Sequence, residues 1–245
     1  MYNMNIGKDF KKFALGQGIS SISLHSYENS MTPQIIEERK LNAISMSVFD
    51  RLMMERTIWI CSPINSQMAS IIQAQLIYLD SLDKKDIIIH CDSPGGSVMA
   101  GLGIIDVMNY IKSDVATINT GLCASMGAMI LSAGQKGKRS SLLYSRTMIH
   151  HVSSSTSGTV DDQRISLMES EKYNFLLMKI LAQNCGKTFD EIHDSSRRDK
   201  WLNSDESLEF GIVDEIIGID KNESITKMME GFDEYYQKEV IMRNI

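Results

Sequence analysis

The stretch Val115-Ala116-Thr117-Ile118-Asn119-Thr120-Gly121-Leu122-Cys123-Ala124-Ser125-Met126-Gly127-Ala128 reads as a short buried strand, a turn of small residues and the start of a helix. β-branched side chains dominate residues 115–120, and residues 126–133 are compact and helix-compatible. Ser125 therefore falls where strand gives way to helix. A hydroxyl at that point sits at the tip of a sheet, with the unbonded N–H groups of a first helical turn facing any negative charge that develops beside it. Acyl transfer to a serine requires such a place. The plain alternative is a helix N-cap, a position serine favours. Cys123, two residues earlier, excludes the Gly-x-Ser-x-Gly elbow of the α/β-hydrolases.

Outward from this stretch, strand and helix alternate. A short helix runs from Ser45 or Ser47 through Arg56, and residues 57–61 and 86–91 read as strands. Asn65 caps a helix with Met68, Ile71, Ile72, Leu76 and Leu79 on one face, and a helix over 98–111 turns Met99, Leu102, Ile105, Met108 and Ile111 inward. Such alternation predicts parallel strands joined by right-handed crossovers. Ser93-Pro94-Gly95-Gly96 links the second of these strands to its helix, and adjacent glycines permit backbone angles and close approaches that a side chain blocks. Its plain reading is a tight turn. In a parallel sheet, however, this turn and the Ser125 turn both lie beyond carboxyl ends of strands, where ligand sites gather. The N–H groups of Gly96 and Met126 are then candidate donors of an oxyanion hole.

Downstream, residues 141–144 and 147–149 read as strand fragments, the second ending in His150-His151. Consecutive residues of an extended chain face opposite ways, so at most one of the two histidines serves Ser125, and the plain reading of either is structural. The Ser/Thr/Gly run over 152–159 suits a surface strand that pairs with a partner chain or a substrate backbone. Residues 160–184 carry the longest helical pattern, closed by Gly186, and its length suggests a subunit contact. Thr188 and Glu191 form a capping box. Asp199, in Ser196-Arg197-Arg198-Asp199-Lys200-Trp201, is a surface carboxylate unless it is held near His150. A short helix over 204–210 ends at Gly211, and residues 212–217 read as a closing strand.

A chain of 245 residues with a formal charge of -6 and a pI near 5.4 is a poor match to nucleic acid. Its basic cluster at 136–139 reads as a solvated turn. Cys61, Cys91, Cys123 and Cys185 lie in or beside apolar runs without CxxC spacing, as buried thiols in a reducing compartment do. No run approaches the roughly 18 apolar residues of a membrane span, and no signal pattern opens the chain. The expected location is cytoplasmic. The expected organisation is an N-terminal arm over 1–43, flexible or ring-lining, a single domain over 44–219 and a charged, amphipathic C-terminal extension over 220–245.

In their order and spacing, Ser93-Pro94-Gly95-Gly96, Ala124-Ser125-Met126-Gly127-Ala128, Met148-Ile149-His150 and Arg198-Asp199 resemble the motifs of the ClpP family of ATP-dependent serine peptidases. Gly134-Gln135-Lys136-Gly137-Lys138-Arg139 is similar to that family's Gly-x-Lys-Gly-Lys-Arg turn, and Glu209-Phe210-Gly211-Ile212-Val213-Asp214 resembles its Glu-Tyr-Gly-Leu-Val-Asp. The resemblance implies an α/β fold, a crotonase-like spiral of βα units with a protruding handle of strand plus long helix. It implies Ser125 as nucleophile, His150 as general base, Asp199 as the carboxylate that orients it, and Gly96 and Met126 as oxyanion donors. It also implies two stacked heptameric rings, unfolded protein substrates bound as added strands, no cofactor or metal in this chain, and ATP consumed by a partner AAA+ unfoldase. The chain departs from the family in three places. His151-Val152 stands where Gln-Pro is usual, the handle strand is Ser-rich rather than Gly-rich, and Ile88 and His90 replace tyrosines of the pocket that receives the unfoldase loop, while Tyr110 keeps an aromatic at another pocket position. The readings from other classes are a modulatory ring subunit that acts on another peptidase and an acyl-CoA enzyme of the crotonase fold, which needs no Ser-His pair.

Overall fold

The computed structural model describes residues 6–29, 34–39, 42–218 and 224–237. Along them run α1 (Ile6–Gly16), α2 (Ser21–Asn29), β1 (Gln34–Arg39), β2 (Asn42–Ser47), α3 (Val48–Met54), β3 (Thr57–Ile60), α4 (Ser66–Leu82), β4 (Ile87–Ser93), α5 (Val98–Tyr110) and β5 (Val115–Ala124). There follow α6 (Met126–Ser132), β6 (Arg139–Leu142), β7 (Arg146–Ile149), α7 (Val160–Cys185), α8 (Phe189–Ser195), β8 (Lys200–Leu202), α9 (Ser204–Phe210), β9 (Glu215–Ile217), α10 (Ile225–Met228) and α11 (Phe232–Tyr236).

Strands β3-β4-β5-β6-β9 form the spine of a seven-stranded sheet, with β7 paired to β5 and β8 to β7. Every pairing in it is parallel except β7–β8. The alternation within β4 shows why the sequence takes this form: Ile87, Ile89 and Cys91 are buried under helices while Ile88 and His90 stay half-exposed. Helix α4 starts where the Asn65 side chain accepts the Met68 N–H, and α5 where Ser97 accepts the Ala100 N–H. Ile71, Ile72 and Leu79 of α4, Ile104 of α5 and Ile130 of α6 then close the core over the sheet. Met99, expected inward, is 63% exposed because it lies in the first turn of α5, above the edge of that core.

Helix α7 divides in two. Residues 160–169 are exposed, whereas Leu177, Met178, Leu181, Ala182 and Cys185 are buried against the core. The helix therefore stands off the domain at its N-terminal end, behind the Thr159–Asp162 capping box. Residues 152–159, expected as a surface strand, form no strand within the chain. Residues 6–29, read from sequence as part of an arm, form two helices. Phe10, Ala14, Leu24 and Tyr27 are buried there, and the Phe10 ring lies 5.7 Å from both Phe49 and Tyr78. The remaining parts of the arm (1–5, 30–33, 40–41) and parts of the C-terminal extension (219–223, 238–245) lie outside the described residues. Among the described residues no helix is long and apolar enough to cross a membrane, and no disulfide joins the four cysteines. Burial pushes the Cys185 thiol up to about 11.

Candidate active site

Strand register brings three distant segments to one point. In the β5–β7 pair Ala124 lies opposite Met148, and the Ser125 N–H donates to the Met148 carbonyl at 2.8 Å. Two residues beyond Met148 the chain reaches His150. In the antiparallel β7–β8 pair Ile149 lies opposite Lys200, so the next position outward sets His150 against Asp199. The His150 Nε2 is 2.9 Å from Ser125 Oγ, and its Nδ1 is 3.3 Å from Asp199 Oδ1. In the tautomer that carries its proton on Nδ1, toward the carboxylate, the Nε2 lone pair is free to accept the serine O–H. The imidazole is mostly covered while the Asp199 side chain is 60% exposed.

Ser125 occupies the N-cap position of α6 but makes no capping bond. Its backbone is held at φ 53°, ψ -121°, a conformation that costs a residue with a Cβ of order 1–3 kcal/mol. A sharp strand-to-helix turn of this kind lifts the hydroxyl off the sheet edge. The pattern Cys123-Ala124-Ser125-Met126-Gly127 thus reaches an elbow geometry without the usual first glycine. Helical bonding begins only where the Met129 N–H donates to the Ser125 carbonyl at 3.2 Å, so the N–H groups of Met126, Gly127 and Ala128 lie outside it.

The opposing jaw is the Ser93–Gly96 turn. Ser93 Oγ donates to the Ser62 carbonyl at 2.8 Å and accepts the Gly95 N–H at 3.2 Å. The Gly95 carbonyl accepts the Ile64 N–H, and the Ile64 carbonyl accepts the Ser97 N–H, each at 2.8 Å, which leaves the Gly96 N–H out of that pairing. A Cβ on Gly95 would sit 2.7 Å from the Ser125 Cβ, and one on Gly96, at φ 147°, would sit 2.2 Å from the Ile64 carbonyl oxygen. Glycine at 95 lets the two turns approach this closely, and glycine at 96 lets the turn lie against Ile64. Gly96→Ala is accordingly expected to push the turn off Ile64 and lower peptide kcat by about 10²–10³-fold, the effect of losing one oxyanion donor. Steady-state kinetics on the assembled variant checks it, and unchanged kcat would remove Gly96 from the site.

A recess of about 50 Å³ opens beside Ser125 and His150, lined by the apolar Val98, Met129, Ile149, Leu177 and Leu181 together with the polar His151 and Ser153. Cys123, two residues before Ser125, is buried with its thiol donating to the Cys91 carbonyl, and burial raises its pKa well above the usual range. His151 directs its ring Nε2 at the His193 carbonyl of α8 rather than at Ser125. Sequence reasoning did not find the Ser93 and Ile64 supports of the glycine turn, for which Ser93-Pro94 was the available signal. Among the described residues no group of three or more His, Cys, Asp or Glu is arranged to hold a metal ion.

The chain matches the family model for Clp protease over residues 40–220. The ATP-dependent Clp protease proteolytic subunit of Bacteroides fragilis (strain YCH46) is 45% identical over 215 residues, 85% of this chain and 98% of that relative. The subunit of the same name from Porphyromonas gingivalis (strain ATCC BAA-308 / W83) is 44% identical over 215 residues, covering 85% and 97%. That of Streptococcus equi subsp. equi (strain 4047) is 43% identical over 190 residues, covering 76% and 97%. The family model spans the sheet and both turns, the relatives cover three quarters or more of the chain, and on these grounds the chain belongs to the Clp protease family.

Proposed function

We propose that this protease is of serine type, the proteolytic subunit of an ATP-dependent Clp-type enzyme, and that it cleaves unfolded polypeptides inside a ring chamber. One observation carries the reading: a strained, uncapped Ser125 with His150 Nε2 at 2.9 Å and Asp199 on the far side of the imidazole. His150 takes the serine proton as Oγ attacks the scissile carbonyl, and Asp199 stabilises the resulting imidazolium. The N–H groups of Gly96 and Met126 receive the oxyanion. His150 then returns the proton to the leaving amine, and water hydrolyses the acyl-enzyme by the same route. A purely modulatory ring subunit would have no need of a complete Ser-His-Asp set.

Assembly as two stacked heptameric rings is supported by the projecting end of α7, where Val160, Ile165, Leu167 and Met168 are exposed and await a partner. ATP is consumed by an AAA+ unfoldase, and this chain's own chemistry draws on no cofactor. Docking is supported by an aromatic surface that the sequence did not reveal: His90 stacks on Trp59 across the β3–β4 pair, 4.8 Å between centroids and 17° between planes. Burial pulls the His90 pKa down, because it disfavours the charged ring. A cytoplasmic location accords with thiols left unbridged. The test is a fluorophosphonate, which phosphonylates an activated serine. Labelling of the assembled protein at Ser125 alone, mapped by peptide mass, is the expected result, and failure to label would overturn the serine assignment.

A further inference from the structure

His151 follows the catalytic histidine yet takes no part in the chemistry described above. We propose that it is a positioning residue, holding the segment that delivers Asp199 to His150; this rests on the serine-protease reading. The backbone N–H of His151 donates to the Ser196 carbonyl at 2.9 Å. Its ring Nε2–H donates to the His193 carbonyl at 3.0 Å. That carbonyl belongs to the last turn of α8, where backbone acceptors have no helical partner. The His151 ring also packs on the His193 ring at 4.7 Å, and His193 in turn stacks on Phe189 at 5.7 Å and 23°.

These bonds matter because of what comes next in the chain. Ser196 is fully buried, and Lys200 is fixed opposite Ile149 in the β7–β8 pair. Only Arg197, Arg198 and Asp199 lie between those two anchors. A carboxylate that is 60% exposed is not placed by packing around it. Its position is inherited from the backbone at either end of this short span. On the β8 side the sheet supplies the anchor. On the α8 side His151 supplies it, with its backbone at Ser196 and its side chain at His193. The two adjacent histidines thus divide the work, one facing Ser125 and the other fixing the end of the segment that carries Asp199.

A shift of about 1 Å in a catalytic group costs up to roughly 10²-fold in rate. The variants His151→Phe and His151→Gln separate the bond from the packing. Phenylalanine keeps a ring against His193 but has no donor, whereas the glutamine amide donates to the same carbonyl. With a fluorogenic peptide and the assembled full chain, His151→Phe is expected to lower kcat about 10–100-fold with KM within about twofold, and His151→Gln to stay within about threefold of the parent in kcat. Particle size and melting are measured for each, and His151→Leu takes the place of the phenylalanine variant if that one does not assemble. Parental kcat in the donor-less variant, or equal loss in the glutamine variant, overturns the proposal. Ser125→Ala is run alongside. If it turns over peptide like the parent, the serine reading itself fails; if it is dead while His151→Phe is fully active, only the positioning role fails.

Discussion

Ser125→Ala is expected to lower kcat for a fluorogenic peptide by roughly 10⁴–10⁶-fold, about 5.5–8 kcal/mol of barrier, because it removes the atom that forms the acyl-enzyme. The glycine turn, the first turn of α6 and the recess beside it all survive the substitution, so KM should change little. The residual rate would be what preorganised N–H donors and binding supply without a nucleophile. Stability offers an independent check. At φ 53° and ψ -121° the Cβ of alanine is as strained as that of serine, while glycine is not. Ser125→Gly should be equally inactive yet melt above Ser125→Ala. If alanine at 125 retains more than about 1% of parental kcat, some other group attacks the substrate. If the glycine variant melts no higher, the turn stores no strain.

How much of this was legible in the sequence follows from where each signal resides. The βα alternation was readable because Ile87-Ile88-Ile89 and the apolar stripe of α4 are local periodicities, and Asn65, Thr188 and Gly186 punctuate the elements as caps. Candidate residues were readable too, since Ser125 and Gly95-Gly96 sit on turns whose composition is unusual. What joins them is not local. Register alone sets Met148 beside Ala124 and Lys200 beside Ile149, and no residue pattern encodes either offset. Strand β8 is only three residues long, in a run that mixes charges with an aromatic and carries no strand pattern of its own; pairing with β7 creates it. The closing strand shortened to Glu215–Ile217 because the Ile212 N–H is taken by the Ser207 carbonyl and Asp214 turns toward Arg139. Helix α1 escaped notice because Gly7 and Gly16 read as breakers, whereas they fall at its two ends, around a Phe10–Ala14 stripe that is buried only once α3 and α4 exist. Residues 152–159 have strand-like composition but need a second backbone beside them.

Arg139→Met is expected to be the most destabilising single change outside the catalytic groups, by about 3–5 kcal/mol. The Arg139 side chain is 1% exposed and forks onto Asp214, Nε to Oδ2 at 2.8 Å and Nη2 to Oδ1 at 2.6 Å. Its Nη1 donates to the Ser132 carbonyl at the end of α6 and the Asn184 carbonyl near the end of α7. One guanidinium therefore ties β6, two helix ends and the approach to β9. Methionine fills similar volume but takes the guanidinium from two helix-end carbonyls and from a largely buried carboxylate, which keeps only the N–H groups of residues 137 and 139 and the exposed Lys136, so the loss exceeds that of a surface ion pair. For a domain of this size it corresponds to a melting shift of roughly 6–20 °C. Replacing both partners by apolar residues should restore part of it, because no charge is then left unpaired. The pH dependence has a definite sign. Burial by itself raises the Asp214 pKa, but the bonds and charge of Arg139, with the Gly137 N–H and Lys136, outweigh it and hold the carboxyl below the usual carboxylate range. A folded-state value below the unfolded one of about 3.9 means that the pair stabilises fully above that pH and loses its effect as pH falls through the folded value. The gap in unfolding free energy between parent and Arg139→Met should therefore be widest near neutrality and narrow below about pH 4. Denaturant unfolding across that range measures it, and a gap that stays constant down to acid would mean that the Arg139–Asp214 pair is not its source.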